Sequence, residues 1–270
     1  MSDSSQKVPL GRTGLMVSRL GIGSSYGVPT KACLKAFEAG VNYFFWGSVR
    51  TPQMALAIRE IAQRHRQDLV VVLQVYVRSP FWLARSVEKG LRALWIDQAD
   101  ILLLGWHQEP PEGRLLEAVE RLRERGLFRF LGISSHKRPL FREFLRDGRY
   151  DVFHLRYNAA HRGAETEIFP HLPARDAPGI VSFTNTRWGD LLKERNMPSG
   201  ERPPTAVDCY RFVLTNPHVQ VAICGPKNEQ EMVQALETLS RGPMDEEELA
   251  RMRAIGDHVH GISSFMSLLT

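Results

Sequence analysis

Three side chains that can bind an anion or move a proton each follow an apolar run of this sequence. They are Arg50, Tyr76 and His107. A guanidinium can hold a carboxylate or phosphate by a two-pronged contact, a phenol can relay a proton, and an imidazole titrates near neutral pH. Ordinary roles also fit: a surface arginine, a tyrosine packed at a rim, a loop histidine in water. We predict that any chemistry is concentrated on these three residues, around a small anionic substrate.

The residue spacing gives no support for metal or disulfide chemistry. Cys33, Cys209 and Cys224 lie far apart and form no Cys-x-x-Cys pair. We expect structural or free thiols in a reducing compartment. His154 has no second ligand at metal-binding spacing nearby, which favours an interior histidine. The sequence therefore predicts no metal site.

Strand-like and helix-like segments alternate along the chain and must position these residues. The apolar runs are mostly continuous, which is typical of strands covered on both faces. These runs are Val17 to Gly23, Val41 to Phe45, Leu69 to Val75, Ile101 to Leu104, Phe130 to Ile133, Val152 to Leu155, Gly179 to Phe183 and Val219 to Cys224. Helical patterns cover Lys31 to Ala39, Pro52 to His65, Pro80 to Leu94, Leu115 to Arg125, Leu140 to Asp147, Thr205 to Thr215 and Glu229 to Ser240. The pattern around Thr166 to Leu172 is weak.

This alternation predicts parallel strands joined by right-handed crossovers. Eight such units in about 240 residues match a closed (β/α)₈ barrel of the TIM type. An open doubly wound sheet is the alternative, but no Gly-x-Gly-x-x-Gly follows the first run. We interpret residues 1–270 as one barrel domain with an extra C-terminal helix over Asp245 to His260. Functional side chains of such a barrel lie where its strands end.

Charge and hydropathy restrict the partners. The 35 Lys and Arg are interspersed with 30 Asp and Glu, for a net charge of +5, which is typical of solvated helix faces rather than a nucleic-acid surface. The excess favours a small anionic ligand. The chain starts without an apolar leader, and no run approaches the about 18 residues of a membrane span. We expect a cytoplasmic monomer or weak homo-oligomer that binds small molecules, with no nucleic acid or membrane as partner.

Short motifs in matching order resemble the aldo-keto reductase family over nearly the whole chain. The first is Pro9 to Gly23 (PLGRTGLMVSRLGIG), which resembles the opening hairpin and first strand of that family. The others are Gly40 to Phe44, Asp100 to Leu104, Gly132 to Ser134, Arg156 to Asn158 and Ile223 to Gly225. The resemblance implies an aldo-keto reductase-like barrel with an N-terminal hairpin, and common descent with enzymes that reduce carbonyls with NADPH.

The four catalytic positions of that family hold other residues here. By the resemblance, Phe45 replaces the aspartate, Arg50 lies near the tyrosine position, Gln74 replaces the lysine and Gly105 replaces the histidine. Phenylalanine cannot balance a buried cation, glutamine carries no charge to lower the pKa of a phenol, and glycine has no side chain to donate a hydrogen bond. We therefore predict that generic aldehydes and ketones are reduced negligibly.

The resemblance also implies where a cofactor and a substrate would lie. The cofactor positions, which imply NADP(H), are Ser134, Ser135, His154, Phe183, Arg187, Lys227 and Asn228. Within this set, Phe183 would stack under the nicotinamide and Lys227 would meet the 2′-phosphate, so that NADPH binds better than NADH. Large rings near strand ends are expected to wall the substrate pocket, namely Tyr26, Trp46, Trp106 and Trp188.

Three functions stay open at this point. The first is a divergent NADP(H)-dependent oxidoreductase that uses replacement catalytic groups. The second is a pseudoenzyme, a non-catalytic sensor or binding protein for NADP(H) or another ligand. The third is a lyase or isomerase that acts on a natural-product-like substrate in the altered pocket. Nucleotide binding argues against the third, and turnover with NADPH excludes the second.

Overall fold

Eight parallel strands close into a barrel in the computed structural model, which describes residues 7–47 and 49–268, with side chains up to residue 262. The strands are β1 (Leu20–Gly23), β2 (Tyr43–Trp46), β3 (Val70–Val75), β4 (Ala99–Leu104), β5 (Phe128–Ser135), β6 (Val152–Arg156), β7 (Gly179–Phe183) and β8 (Val221–Cys224). Each pairs with the next along the chain, and β8 returns to β1 with Ala222 opposite Leu20. The predicted barrel is confirmed.

Helices surround the barrel and return the chain from one strand to the next. They are α1 (Thr30–Glu38), α2 (Pro52–His65), α3 (Pro80–Leu94), α4 (Gly113–Glu124), α5 (Leu140–Asp147), α6 (Ala164–Glu167), α7 (Ala206–Thr215), α8 (Glu229–Leu236) and α9 (Glu246–Leu268). α6 has only 4 residues, which agrees with the weak helical pattern there. The extra C-terminal helix is present and runs past its predicted end. No helix among the described residues is long and apolar enough to cross a membrane.

The side chains of the strands divide into an inner and an outer set. The inner apolar set includes Tyr43, Phe45, Val70, Val72, Ile101, Leu103, Val152, Val181, Val221 and Ile223. The outer set packs against the helices. Because successive side chains of a strand alternate between its faces, Gln74 lies above Val72 and His154 lies above Val152 on the inside. Strand parity thus places polar groups at the C-terminal end of the barrel interior.

A short hairpin fills the opposite end of the barrel. Val8–Pro9 pairs with Met16–Val17, and Leu10, Leu15 and Val17 join the inner apolar set. Gly11 has φ of +48°, and a Cβ there would lie 2.2 Å from the backbone nitrogen of Gly179. Only glycine allows this backbone conformation and close approach without strain.

Candidate functional site

A cavity of about 850 Å³ opens at the C-terminal ends of the strands, where barrel enzymes hold their ligands. Its inner end lies within the barrel and is lined by Phe45, Gln74, Leu103, Ser134 and His154. From there it extends along α8, where the lining residues are Lys227, Glu231, Gln234, Glu237 and Arg241. This volume is within the range of small-molecule and cofactor sites, roughly 300–1,000 Å³.

Exposed aromatic side chains surround the mouth of this cavity. Tyr26, Tyr76, Trp106 and Trp188 line it and are each about half exposed. Trp46, in contrast, is buried beside the site, and its indole donates to the carbonyl oxygen of Thr51 at 3.0 Å. Of the four rings predicted to line the pocket, three therefore lie at the mouth: Tyr26, Trp106 and Trp188. The fourth, Trp46, packs behind the cavity wall.

The amide of Gln74 is packed between two glycines. A Cβ on Gly105 would lie 2.5 Å from Nε2 of Gln74 and 2.8 Å from Cε1 of Tyr76. On the other side, a Cβ on Gly47 would lie 2.4 Å from Cβ of Gln74. A larger residue at either position would displace Gln74. The space that a histidine would need at position 105 is thus taken by the neighbouring strand.

Arg50 does not line the cavity. Its guanidinium donates to the carbonyl oxygen of Gln74 and, at 3.5 Å, to that of Ser86. It also lies 5.3 Å from the centre of the Trp46 ring. These contacts join the end of β3 to α3. In this structure Arg50 is a structural cation behind the wall, which corrects its expected placement in the substrate pocket.

His107 is also outside the cavity. It is buried, and its Nε2 has no hydrogen-bond partner among the described residues. Burial and, to a smaller extent, the charge of Arg78 lower the pKa of His107 to about 4. Of the three side chains expected to carry chemistry, Tyr76 alone lines the cavity, so the structure does not bring the three together.

A buried tyrosine and a histidine meet at the inner end of the cavity. The hydroxyl of Tyr43 lies 2.7 Å from Nε2 of His154, and the Phe45 ring lies 5.3 Å from the imidazole, centre to centre. Burial lowers the pKa of His154 to about 3 and raises the pKa of the Tyr43 phenol well above its ordinary value. Both groups are therefore neutral at physiological pH.

The loop that follows β7 is strained where it borders the cavity. Thr184, Arg187, Trp188 and Gly189 all have positive φ, and a β-branched residue in that region is uncommon. Strain of this kind concentrates at ligand-binding sites, and alternating turn conformations can point successive N–H groups at an anion. Asn185 anchors the loop by donating to the carbonyl oxygen of Ile223 at 2.9 Å.

The residues expected to hold a cofactor divide into two groups. Ser134, His154, Phe183 and Lys227 line the cavity. The others bond to the protein instead, namely Ser135 to the amide of Lys137 at 2.9 Å, Arg187 to the carbonyl oxygen of Val259 at 3.1 Å, and Asn228 to the amide of Glu231 at 2.8 Å. Arg187, which was expected to hold the cofactor, thus bonds to α9 and does not line the cavity.

Sequence reasoning missed three features of the cavity wall. His136 lies between the rings of Trp106 and Phe183, at 6.3 and 5.5 Å, and its position directly after the C-terminal end of β5 could have revealed it. The carboxylate of Glu231 accepts from the amide of Lys227 at 2.8 Å. Arg241 lines the far end, 3.4 Å from the carboxylate of Glu237. The described residues contain no group of ligands that could hold a metal ion.

Solved structures of known proteins share the fold of this barrel. An aldo-keto reductase of Bacillus halodurans in its holo form superposes with a TM-score of 0.78 at 20% identity, over 93% of this chain and 96% of that one. An aldo/keto reductase of Klebsiella pneumoniae in complex with NADP and acetate gives 0.75 at 18%, over 93% and 96%. These likenesses establish the fold, which is that of the aldo-keto reductases.

A curated protein matches part of this chain in sequence. The NADH-specific methylglyoxal reductase of Escherichia coli (strain K12) is 24% identical over 204 residues. The match covers 61% of this chain and 63% of that reductase, so less than two thirds of the relative is spanned. No protein-family model matches the chain.

Proposed function

We propose that this chain is a divergent member of the aldo-keto reductase family that binds NADP(H) and acts as an oxidoreductase on a small carbonyl substrate. One observation carries the proposal: a single cavity joins the uncharged inner end, the ring of Phe183, the strained loop after β7 and the segment that contains Lys227. An extended dinucleotide needs such a sequence of surfaces. The NADP in the Klebsiella structure supports the same assignment.

The residues present fit this cofactor. Phe183 offers a ring for stacking, and Ser134 and His154 offer polar atoms to the nicotinamide end. The loop backbone at Asn185, Thr186 and Trp188 offers N–H groups to a pyrophosphate, whereas those of Arg187 and Gly189 donate to loop carbonyl oxygens. Lys227 offers an ammonium to a 2′-phosphate. When bound, NADPH supplies a hydride.

The side chains around the inner end would handle the substrate. The amide of Gln74 can donate to a carbonyl oxygen. Tyr26 and Tyr76 both bring a phenol to the mouth, and we assign the acid role to Tyr76 because it meets Gln74 at Gly105. Phe45 and Gln74 stand where the resemblance places an aspartate and a lysine, so we expect slow proton transfer and low turnover. The rings at the mouth would exclude water from the bound substrate.

A non-catalytic NADP(H)-binding role is the second candidate. It is favoured by one observation: among the described residues, those that line the inner end include no carboxylate, ammonium or guanidinium. Such a site can hold a nucleotide, yet it lacks the charged partners that make proton transfer fast.

Calorimetric titration with NADPH and NADH tests the cofactor assignment. The intact protein should bind NADPH about 10- to 100-fold more tightly than NADH, the effect of one charge-assisted contact. Lys227→Ala should remove this difference, while Lys89→Ala, a lysine of α3 that does not line the cavity, should leave it. Failure of both nucleotides to bind would overturn the proposal.

Turnover then separates the two candidates. NADPH oxidation is followed with a panel of aldehydes and ketones, in the intact protein and in Tyr76→Phe. Measurable turnover that falls about 100-fold or more in Tyr76→Phe, with unchanged NADPH affinity, supports the oxidoreductase. Tight NADPH binding without any turnover supports the binding protein.

A further inference from the structure

The contact between Tyr43 and His154 gives the inner end of the cavity a defined hydrogen-bond polarity. The Tyr43 hydroxyl is fully buried, and Nε2 of His154, at 2.7 Å, is its one hydrogen-bond partner among the described residues. A buried hydroxyl donates its proton to a partner rather than leaving it unpaired. The hydroxyl therefore donates to Nε2, which must be the unprotonated acceptor nitrogen of the ring.

The proton of the imidazole then resides on the other nitrogen. A neutral imidazole carries one N–H, and burial keeps His154 neutral by lowering its pKa. With Nε2 accepting from Tyr43, the N–H is at Nδ1. His154 lines the cavity, so Nδ1–H is the group that the ring can offer to a ligand there.

Packing holds this arrangement in place. The aromatic rings of Tyr43 and Phe45 lie 6.0 and 5.3 Å from the imidazole. Tyr43 in turn lies against Gly21, where a Cβ would come within 2.9 Å of its Cδ1. These contacts hold the phenol against the imidazole, so the tautomer is set within the protein before any ligand arrives.

We propose that His154 is a fixed Nδ1–H donor that selects a carbonyl oxygen at the inner end of the cavity, and that Tyr43 is the positioning residue that sets its tautomer. The identity of the ligand rests on the proposed function. The oxygen belongs either to the carboxamide of the nicotinamide nucleotide or to the carbonyl substrate. A neutral imidazole N–H can polarise such an oxygen without transferring its proton.

Nitrogen NMR of the histidine-labelled, ligand-free protein tests the tautomer. His154 should be protonated at Nδ1 in the intact protein and should change toward the Nε2–H form in Tyr43→Phe. Tyr150→Phe is the matched control, because Tyr150 is also a buried phenol and its hydroxyl has no partner among the described residues. An Nε2–H tautomer in the intact protein, or no change in Tyr43→Phe, would overturn the proposal.

Calorimetry distinguishes the two sources of the oxygen. If the carboxamide is the acceptor, Tyr43→Phe weakens NADP⁺ binding about 2- to 10-fold, the effect of one neutral hydrogen bond, and leaves adenosine 2′,5′-bisphosphate unaffected. If the substrate is the acceptor, NADP⁺ affinity is unchanged and binding of acetophenone is weakened by the same factor. A tautomer change that alters neither affinity refutes the donor role.

A third variant separates this inference from the proposed function. The amide of His154→Gln donates without help from Tyr43, so Tyr43→Phe should have no further effect on affinity in that background. If NADP⁺ fails to bind the intact protein, the proposed function fails, while the NMR and acetophenone measurements on the ligand-free protein still decide the role of His154.

Discussion

Adding a single methyl group at Gly105 should destabilise the protein through Gln74. In Gly105→Ala the new Cβ would start 2.5 Å from Nε2 and 3.0 Å from Cδ of Gln74, so these atoms must retreat by roughly half to one ångström to reach ordinary contact. Gln74 is buried and Gly47 closes the space behind it, whereas Tyr76 is exposed and can rotate away. Overpacking of this kind costs about 1–3 kcal/mol.

Urea unfolding of a double-mutant cycle isolates this effect. Gly105→Ala should lower the free energy of unfolding by about 1–2 kcal/mol in the intact protein and by under about 0.5 kcal/mol in Gln74→Ala, because the obstructing amide is gone. Gly113→Ala is the control, since a Cβ there meets nothing within 4 Å. Additive effects of the two substitutions, within about 0.5 kcal/mol, would refute the reasoning.

Three further outcomes follow from other contacts. Arg50→Met should lower the free energy of unfolding by about 1–3 kcal/mol, by losing its bonds to carbonyl oxygens, and should leave NADPH affinity unchanged by calorimetry; the reverse pattern would return Arg50 to the ligand site. Glu231→Gln should tighten NADPH binding, because it removes a negative charge beside Lys227. The glutamine side chain keeps an oxygen that can accept from the backbone amide of Lys227. Weaker NADPH binding would contradict this prediction. Stability should fall as pH is lowered from about 6.5 toward 4, because the pKa of His107 is about 4 in the folded protein against an ordinary 6.5, so the unfolded chain binds the extra proton. In urea unfolding, His107→Gln should reduce this dependence, and the part due to His154 and His161, whose pKa values are both about 3, should remain.

Strand parity explains which site residues could be placed from the sequence. Ser134, His154 and Phe183 belong to β5, β6 and β7. Once the barrel and its inner face are known, alternation along each strand fixes their direction. All three line the cavity as the resemblance implied. For residues inside strands, pattern and spacing carry enough information.

Strand alternation does not predict where loop side chains lie, because the backbone changes direction beyond the strand end. Trp106 has a left-handed backbone, with φ of +49°, which ends the alternation of β4 and leaves Trp106 at the mouth and His107 behind the wall. Arg187 has φ of +52° in the loop after β7 and faces α9. Arg50 is a long side chain that donates to the carbonyl oxygens of Gln74 in β3 and Ser86 in α3. Neither Trp106 nor Arg187 is a glycine, so the residue type at these positions does not indicate a left-handed backbone.

The hairpin that fills the N-terminal end of the barrel determines the order in which ligands bind to the cavity and dissociate from it. Leu10, Leu15 and Val17 fill that end, so in the described part of the chain the inner wall at Gln74 and His154 is reached from the mouth, which Trp106 and Trp188 border. Two ligands that share the cavity therefore bind in a fixed order. The ligand that contacts the inner wall binds first and dissociates last. Steady-state kinetics should then show ordered binding. The inner ligand should dissociate only after the outer ligand has dissociated.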